Sequence, residues 1–578
     1  MSKKVLAVVL SVILTFSAIA VPASAADIKL PATSVENVFE MFVEQLLQFV
    51  LSYLNKYWPG YEDKWSDSEN YEAENFYPGE ESFDKEVAEG AQWKVGYAGA
   101  SLLEGINPMD GDYFLAGSLE PIMGRVPAKV IDDQRVRVYA ISDGVGGTVV
   151  HAVIDGFGMS RGDVQKIRAL MADFAEENNV ISINVSVLHQ HSCIDTLGMN
   201  VPLAQALIMN TGNAALGGLL DEHKVQKNQQ FMENVFNKTA YAMKRAVKNM
   251  KAGELYYGSA DITEYVKDKR DPQTADTEIQ RLRFVPDDGT SETWILEAGI
   301  HCTSLGAGPD ELTADYPYYI EKNIREEVGA NVVFVLGAEL AVTSRNFYLC
   351  EECGAIANVE KDLAVEVSCP NGCIESVVGK DYNTAADLWN QANENEAKDG
   401  IVRMKEYGYI LAKKVMAITA EEKLDPVLNI AMKEVVLDAD NGILTLAARE
   451  DVLNAVIVKN GDKYNMITEI GYMELGNSVA TFLCPGEFDP ILVFGGPQSG
   501  DESWTGEEWS MPALKENTDC ENIMVIGLCN DQAGYVLRDT EYHSILSENE
   551  EINVISKTAG STFVGEFMNL IADVNEAA

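Results

Sequence analysis

Residues 147–188 constrain the fold more than any other stretch of this sequence. "GTVVHAVI" (147–154) reads as a strand and "SRGDVQKIRALMADFAEEN" (160–178) as a helix opened by a serine cap. "VISINVSVL" (180–188) is a strand again. A strand, a helix and a second strand joined by short connections form a crossover, which sets the two strands parallel. The pattern recurs in "TWILEAGI" (293–300), "YPYYIEKNIREEV" (316–328) and "NVVFVLG" (331–337). "RVRVYAI" (135–141), "SVATFLC" (478–484) and "NIMVIGL" (522–528) add further strands. The expected class is therefore α/β, with mixed sheets built from strand–helix–strand units and flanked by helices. No internal repeat at solenoid spacing is found.

The chain has 578 residues, enough for several average domains or one large domain with insertions. Its 44 basic and 90 acidic residues give a net charge of −46, which argues against nucleic acid or another polyanion as partner. The first residues read as a secretory signal. Lys3 and Lys4 supply the charge, Val5 to Val21 the apolar stretch, and Ala23-Ser24-Ala25 the small-residue cleavage site. Residues 1–25 are thus expected to be removed, leaving a protein that is secreted or held at the outer cell surface. Later runs are too short or too polar to span a bilayer. From Ser34 to Tyr57, apolar residues recur at helical spacing, and the helix they predict is expected to pack on the main body. Residues 57–86 read as an acidic, aromatic linker of low order. Together, 26–92 form an N-terminal segment ahead of the mixed pattern that begins near Trp93.

Only six histidines occur in the chain, and two stand one residue apart in Leu188-His189-Gln190-His191-Ser192-Cys193. Other chemically useful residues also lie just past strands: His301 after 293–300, Thr343 and Ser344 after 331–337, Glu487 after 478–484, and Tyr535 after 522–528. Ligands of α/β sheets gather where strand ends converge, because loops there can vary without disturbing the core. In extended chain, His189 and His191 would face the same side. Imidazoles, a carboxylate and a further oxygen suit zinc (Zn2+). His151 reads as a core or edge residue, and His223 and His543 as exposed. Nine cysteines leave at least one thiol unpaired. Cys350, Cys353, Cys369 and Cys373 cluster at the spacing of a four-cysteine structural zinc site, whereas export favours disulfides. Both readings stay open.

The order and wording of these segments resemble the neutral, non-lysosomal ceramidase family. The resemblance opens at "FLAGSLEPIMGRVPAKVIDDQRVRVYAI" (114–141) and runs through "VIDGFGMSRGDVQKIRALM". "NVISINVSVLHQHS" is similar to the family's strand and Thr-His-Thr-His-Ser-Gly run. "AGIHCTSLG" (298–306) is similar to its His-Pro-Thr segment. "GAELAVTSRN" (337–346) aligns without gaps on Asn-Ala-Gln-Ala-Gly-Asp-Val-Ser-Pro-Asn. "IGYMELGNSVATFLCPGEFDPI" (470–491), "VIGLCNDQAGYVLRDTEY" (525–542) and "AGST" (559–562) complete it.

The resemblance covers most of the chain after residue 93, so 93–578 is expected to be one ceramidase-like catalytic domain with a cysteine-rich insert at 350–373. It implies catalytic zinc ligands at His189, His301, Glu487 and Tyr535. It further implies a proton-handling role for His191 and an active-site hydroxyl at Ser344. The implied reaction is hydrolysis of the amide of ceramide or a related N-acyl lipid by a zinc-bound water, with His191 passing a proton to the leaving amine. The implied partner is a lipid substrate, which a membrane surface could present. Several positions depart from the family. Cys193 replaces a glycine and Cys302 a proline, and Ala341-Val342-Thr343-Ser344-Arg345 stands where the family has Gly-Asp-Val-Ser-Pro. Thr343 therefore competes with Ser344 for the hydroxyl role. Little chain follows "AGST", so the resemblance does not extend to the C-terminal immunoglobulin-like domain of many members. Two alternatives use the same scaffold: a zinc hydrolase of a water-soluble amide, and a non-catalytic envelope binding protein.

Overall fold

Thr148–Ile154 is buried at every position, and Val180–Val187 at all but one. Strands of this kind have no solvent face and need cover on both sides, the usual condition of parallel pairs. In a computed structural model of the chain they do pair in parallel, Val149 beside Ser182 and Ile154 beside Val187. The structure describes residues 43–52, 64–111, 113–117, 124–202, 205–206, 209–210, 226–305, 310–344, 347–349, 356–358, 396–544 and 551–576.

The larger sheet contains β1 (Lys94–Ser101), β2 (Arg135–Ser142), β3 (Thr148–Ile154), β4 (Val180–Val187), β5 (Lys251–Asp261), β6 (Glu278–Pro286), β7 (Thr293–Ala298), β8 (Asn331–Leu336) and β9 (Glu422–Leu424). Their order is β8-β7-β6-β5-β1-β2-β3-β4, with β9 on β5. Only the terminal pairs, β3/β4 and β7/β8, are parallel. Both belong to the strand–helix–strand units legible in the sequence. The sheet curls, so that β8 packs on β2, β3 and β4. This brings the carboxyl ends of the two parallel pairs together.

The smaller sheet contains β10 (Leu428–Asp438), β11 (Ile457–Asn460), β12 (Lys463–Leu475) and β13 (Val479–Leu483); after the short β14 (Glu487–Phe488) it is completed by β15 (Asn522–Ile526). β13 and β15 form a third parallel pair. β14 pairs in parallel with β16 (Tyr535–Val536) just past their ends. β15 packs on β7 and β8, which joins the two sheets.

Helices cover the outer faces. α1 (Arg161–Glu177) and α2 (Gln229–Lys248) lie over β1–β4, α3 (Asp315–Glu327) packs on β8 and α4 (Glu396–Met416), and α5 (Ala559–Glu576) lies on β10 and β12. Ser160 holds the N-cap position of α1, but its side chain makes no capping bond. The free N–H groups find partners across the fold instead: Arg161 N–H donates to Asp531 (2.8 Å) and Gly162 N–H to the Asn454 carbonyl (3.0 Å). Arg168 on the same helix donates to buried Glu469 of β12 (3.0 Å) and to the Ile183 carbonyl of β4 (3.0 Å). This helix thus ties the two sheets together by charge as well as by packing.

The described part of the linker, 64–86, is ordered against the smaller sheet, contrary to the sequence expectation. Trp65 and Phe83 are buried. Phe83 stacks on Tyr472 at 5.7 Å, and Tyr71 donates to Glu434 (2.8 Å). Gly79 pairs with Ala431. The aromatics here are spaced without period and bury one at a time, so periodicity does not reveal their role. Of the N-terminal helix, 43–52 is described; Leu47 and Leu51 are buried in the main body, and Glu44 accepts from Lys557 (2.8 Å). His223 and the four clustered cysteines lie outside the described residues. Among the described residues no helix is long and apolar enough to cross a membrane.

Cys193, Cys302, Cys484, Cys520 and Cys529 are buried thiols, none in a disulfide. Burial pushes Cys193, Cys302, Cys484 and Cys529 well above the usual thiol range and Cys520 up to about 11. Thiolate is the reactive form, so all five should resist iodoacetamide in the native protein and react fully once the chain is unfolded. Peptide mass spectrometry reads this site by site. Native alkylation of Cys193 or Cys302 would contradict the tight packing around the histidine loop.

Candidate metal centre

Beyond β4 the chain does not stay extended. His189 has φ +50°, a left-handed conformation uncommon outside glycine. The sequence expectation that an extended His-x-His puts both rings on one side is therefore corrected in its cause: a backbone turn aims them. The His189 and His191 rings lie 4.8 Å apart, nearly perpendicular. His301 joins them, 4.8 Å from His189 and 5.4 Å from His191.

The turn is pinned by the residue between the histidines. Gln190 is fully buried, and its amide donates to Asp155 (2.9 Å) and to the Ala314 carbonyl (2.7 Å). Asp155 in turn pairs with Arg137 (2.6 Å) and accepts from Arg135 N–H (2.7 Å). Glu321 of α3 closes the network on Arg137 (2.8 Å) and Arg135 (3.1 Å). Gly117, in the segment that opens the family resemblance, lies against His191. Its φ is +100°, and a Cβ there would sit 2.1 Å from the His191 carbonyl oxygen. Arg125 donates to that same carbonyl (3.1 Å).

Each ring nitrogen Nδ1 faces a backbone carbonyl: Phe157 for His189 (2.7 Å), Gly117 for His191 (3.3 Å) and Glu339 for His301 (3.0 Å). A carbonyl only accepts, so each Nδ1 carries the proton and each Nε2 is left as a lone pair. Phe157 also stacks on the His189 ring at 4.4 Å. The Nε2 atoms of His189 and His301 lie 3.2 and 3.4 Å from one oxygen of Glu487. Glu487 stands at the start of β14, where its other oxygen accepts from Gln532 (2.9 Å). Gly486 before it lets two loops touch, since a Cβ there would meet the Gly534 carbonyl at 2.6 Å.

Burial foremost, then the neighbouring His191 and His301, holds the His189 imidazole well below its usual range. The same two causes, burial and His301, bring His191 down to about 3. Two neutral imidazole lone pairs and a carboxylate thus converge in a buried space. Acceptors repel one another without a cation between them, so the donor set fits a divalent metal, with histidine and carboxylate ligands suited to zinc. His189 and His301 converge on Glu487, and these three could hold it. The His191 ligand nitrogen also lies within 4.8 Å of those of His189 and His301, but among the described residues His191 forms no ion pair with Glu487.

Tyr535 opens β16 as the register partner of Glu487. Ser344 ends the short strand Val342–Ser344, paired with Val266–Asp268. His301 N–H donates to the Val342 carbonyl (2.9 Å). Thr343 is buried and Ser344 half-buried, and neither hydroxyl is hydrogen-bonded to the three rings among the described residues. His151 lies in the core of β3, its Nε2 2.8 Å from the Ser186 hydroxyl. His543 is half-buried against Trp504 at 4.2 Å, which corrects the expectation of exposure.

One residue of the site was not anticipated. Glu339, just past β8, is fully buried, and its ligand atom lies within 4.8 Å of those of His301 and Glu487. Burial, then the Glu487 charge, pushes its carboxyl well above the usual range. Its signal in the sequence was an acid inside the apolar run "GAELA", at the position where the family segment has glutamine.

The site therefore defines an α/β protein with a buried histidine–carboxylate centre where three parallel strand pairs end. No family model matches the chain, and no curated protein matches it. Solved structures do. The neutral ceramidase from Pseudomonas aeruginosa is similar with a TM-score of 0.56 and 13% identity, over 84% of this chain and 75% of that one. A ceramidase complexed with C2 is similar with a TM-score of 0.55 and 12% identity, over 84% and 76%. At such identities the likeness shows a shared fold.

Proposed function

We propose that this chain is an exported, zinc-dependent amidohydrolase that cleaves the N-acyl amide of ceramide or a related lipid. The observation that carries the reading is the convergence of the His189 and His301 Nε2 atoms on Glu487, within 3.2 and 3.4 Å. The shared fold of ceramidase structures supports the substrate class, and the leader-like residues 1–25 support export. His189, His301 and Glu487 would hold the metal, and Tyr535, in register with Glu487, would be the fourth ligand.

A zinc ion held there would supply a Lewis acid and bring the pKa of a coordinated water to about 7. The protein's own groups do the rest. Carbonyls of Phe157 and Glu339 fix the tautomer of the two ligand rings, and the Gly117 carbonyl does the same for His191. Neutral His191 would accept at Nε2 the proton lost by the water that adds to the amide carbonyl, and return it to the amine nitrogen as the C–N bond breaks. Burial of the rings keeps bulk water from competing. Ser344 is assigned the hydroxyl that contacts substrate from its place in the motif, with Thr343 the alternative.

The test is to strip the purified chain with a chelator, restore zinc, and follow fatty-acid release from a short-chain fluorescent ceramide and from a water-soluble N-acyl amino acid. Ceramide cleavage is expected, lost on stripping and regained with zinc. Cleavage of the soluble amide alone would move the reading to a water-soluble substrate. Bound metal with neither amide cleaved would leave the binding-protein reading.

A further inference from the structure

Glu339 is the one acidic group of the centre with no role so far. It is fully buried, and neither of its carboxylate oxygens has a hydrogen-bond partner among the described residues. An unpaired carboxylate in the interior costs several kcal/mol, so native structures pair it, protonate it or place it on a metal. Pairing with an Arg or Lys is not found here among the described residues. A proton shared with Glu487 would require a short hydrogen bond between the two carboxyls, and no such bond reaches either oxygen of Glu339. Its ligand atom nonetheless lies within 4.8 Å of those of His301 and Glu487, a spread that one ion can bridge.

The backbone of Glu339 is fixed as well. Its carbonyl accepts from His301 Nδ1 (3.0 Å) and from Val342 N–H (2.7 Å). The residue that orients a ligand ring thus carries a carboxylate into the same centre. On the far side, Gly527 lets two strand ends touch: a Cβ there would meet the Gly337 carbonyl oxygen at 2.6 Å, and a Glu339 carboxylate oxygen lies 3.4 Å from the same point.

We propose that Glu339 is a second carboxylate ligand of the cation held by His189, His301 and Glu487; this rests on the metal reading above. With Tyr535 kept as the fourth ligand proposed above, Glu339 would be the fifth; two imidazoles, a phenol and two carboxylates are neutral overall with a divalent ion. Extra oxygen donors favour harder first-row cations, so manganese should compete with zinc better than at a site with one carboxylate.

The test uses the full chain as wild type, Glu339→Gln, Glu339→Asp and His189→Ala, each checked by circular dichroism. Zinc affinity is measured by competition with a chromogenic chelator, manganese by competition against zinc, and coordination by the visible absorption of the cobalt-loaded protein. Glu339→Gln is expected to weaken zinc by about 10- to 100-fold, change the cobalt bands and reduce the competitiveness of manganese. Glu339→Asp should fall between. A folded Glu339→Gln with unchanged affinity and cobalt spectrum overturns the proposal, even if turnover drops, because the carboxylate would then serve substrate and not metal. In that case the metal reading stands so long as His189→Ala loses the ion. A wild type that binds no metal removes both. If Glu339→Gln does not fold, Glu339→Asp decides: an arm one carbon shorter cannot leave the cobalt spectrum unchanged if it is a ligand.

Discussion

Replacing His189 with alanine is expected to empty the centre and abolish turnover, whereas replacing His191 with alanine should keep the metal and still lose turnover. The contrast follows from geometry. His189 Nε2 is 3.2 Å from Glu487 and is held there by the Phe157 carbonyl on one side of its ring and the Phe157 ring on its face. Losing it removes one of two imidazoles in reach of that carboxylate. A Lewis acid is worth several kcal/mol of barrier, and about 1.4 kcal/mol is tenfold, so the loss should be about 10³-fold or more. His191 shares the cluster but pairs with neither carboxylate, and its Nδ1 contact to Gly117 is long, at 3.3 Å. Its loss should cost about 10²- to 10⁴-fold, the usual range for a proton-transferring side chain. Metal per chain by plasma mass spectrometry, beside amide hydrolysis, separates the two. Should His191→Ala lose the ion as fully as His189→Ala, His191 is a ligand and the proton must be handled elsewhere.

The parts of this site that could be read from sequence are those set by local pattern. β3–α1–β4 and β7–α3–β8 were visible because helix and strand periods alternate over short connections. Both give parallel pairs; His189 follows the last strand of the first unit and His301 the first strand of the second. The third parallel pair, β13/β15, was visible only as two strands. A long connection separates them, and no local signal says that they are neighbours. The curl that brings β8 onto β2–β4 is a property of the whole sheet and has no signature in any one strand. His189 shows how a right conclusion can rest on the wrong cause: alternation predicted a common side, and a left-handed backbone supplies it. Glu339 was passed over because an acid beside an apolar run reads as a strand end facing solvent, and only the tertiary fold buries it. The same limit hid 64–86, whose aromatics each find a separate slot on the smaller sheet.

The second large effect is expected at Asp155, which touches no ligand. Asp155→Ala should destabilise the protein by about 3–5 kcal/mol, the cost of stripping the partner from a buried charge. Its carboxylate is fully buried and serves four groups at once: Arg137 at 2.6 Å, the Arg135 N–H at 2.7 Å, the Gln190 amide at 2.9 Å and the Arg135 guanidinium at 3.5 Å. With it gone, the only carboxylate left to Arg137 among the described residues is Glu321, which it already shares with Arg135. The Gln190 side chain keeps only the Ala314 carbonyl among the described residues, so the left-handed turn at His189 loses one of its anchors. Urea unfolding of the metal-free chain measures the first effect, and zinc affinity of the folded variant measures the second. A double variant, Asp155→Ala with Arg137→Met, separates them. Removing both charges relieves the uncompensated guanidinium, so much of the stability should return. The zinc affinity should not return, because the anchor on Gln190 is still missing. If stability and affinity recover together, the network acts on the centre only through the general rigidity of the fold. If neither recovers, the loss lies in packing around β2 and β3 and not in charge.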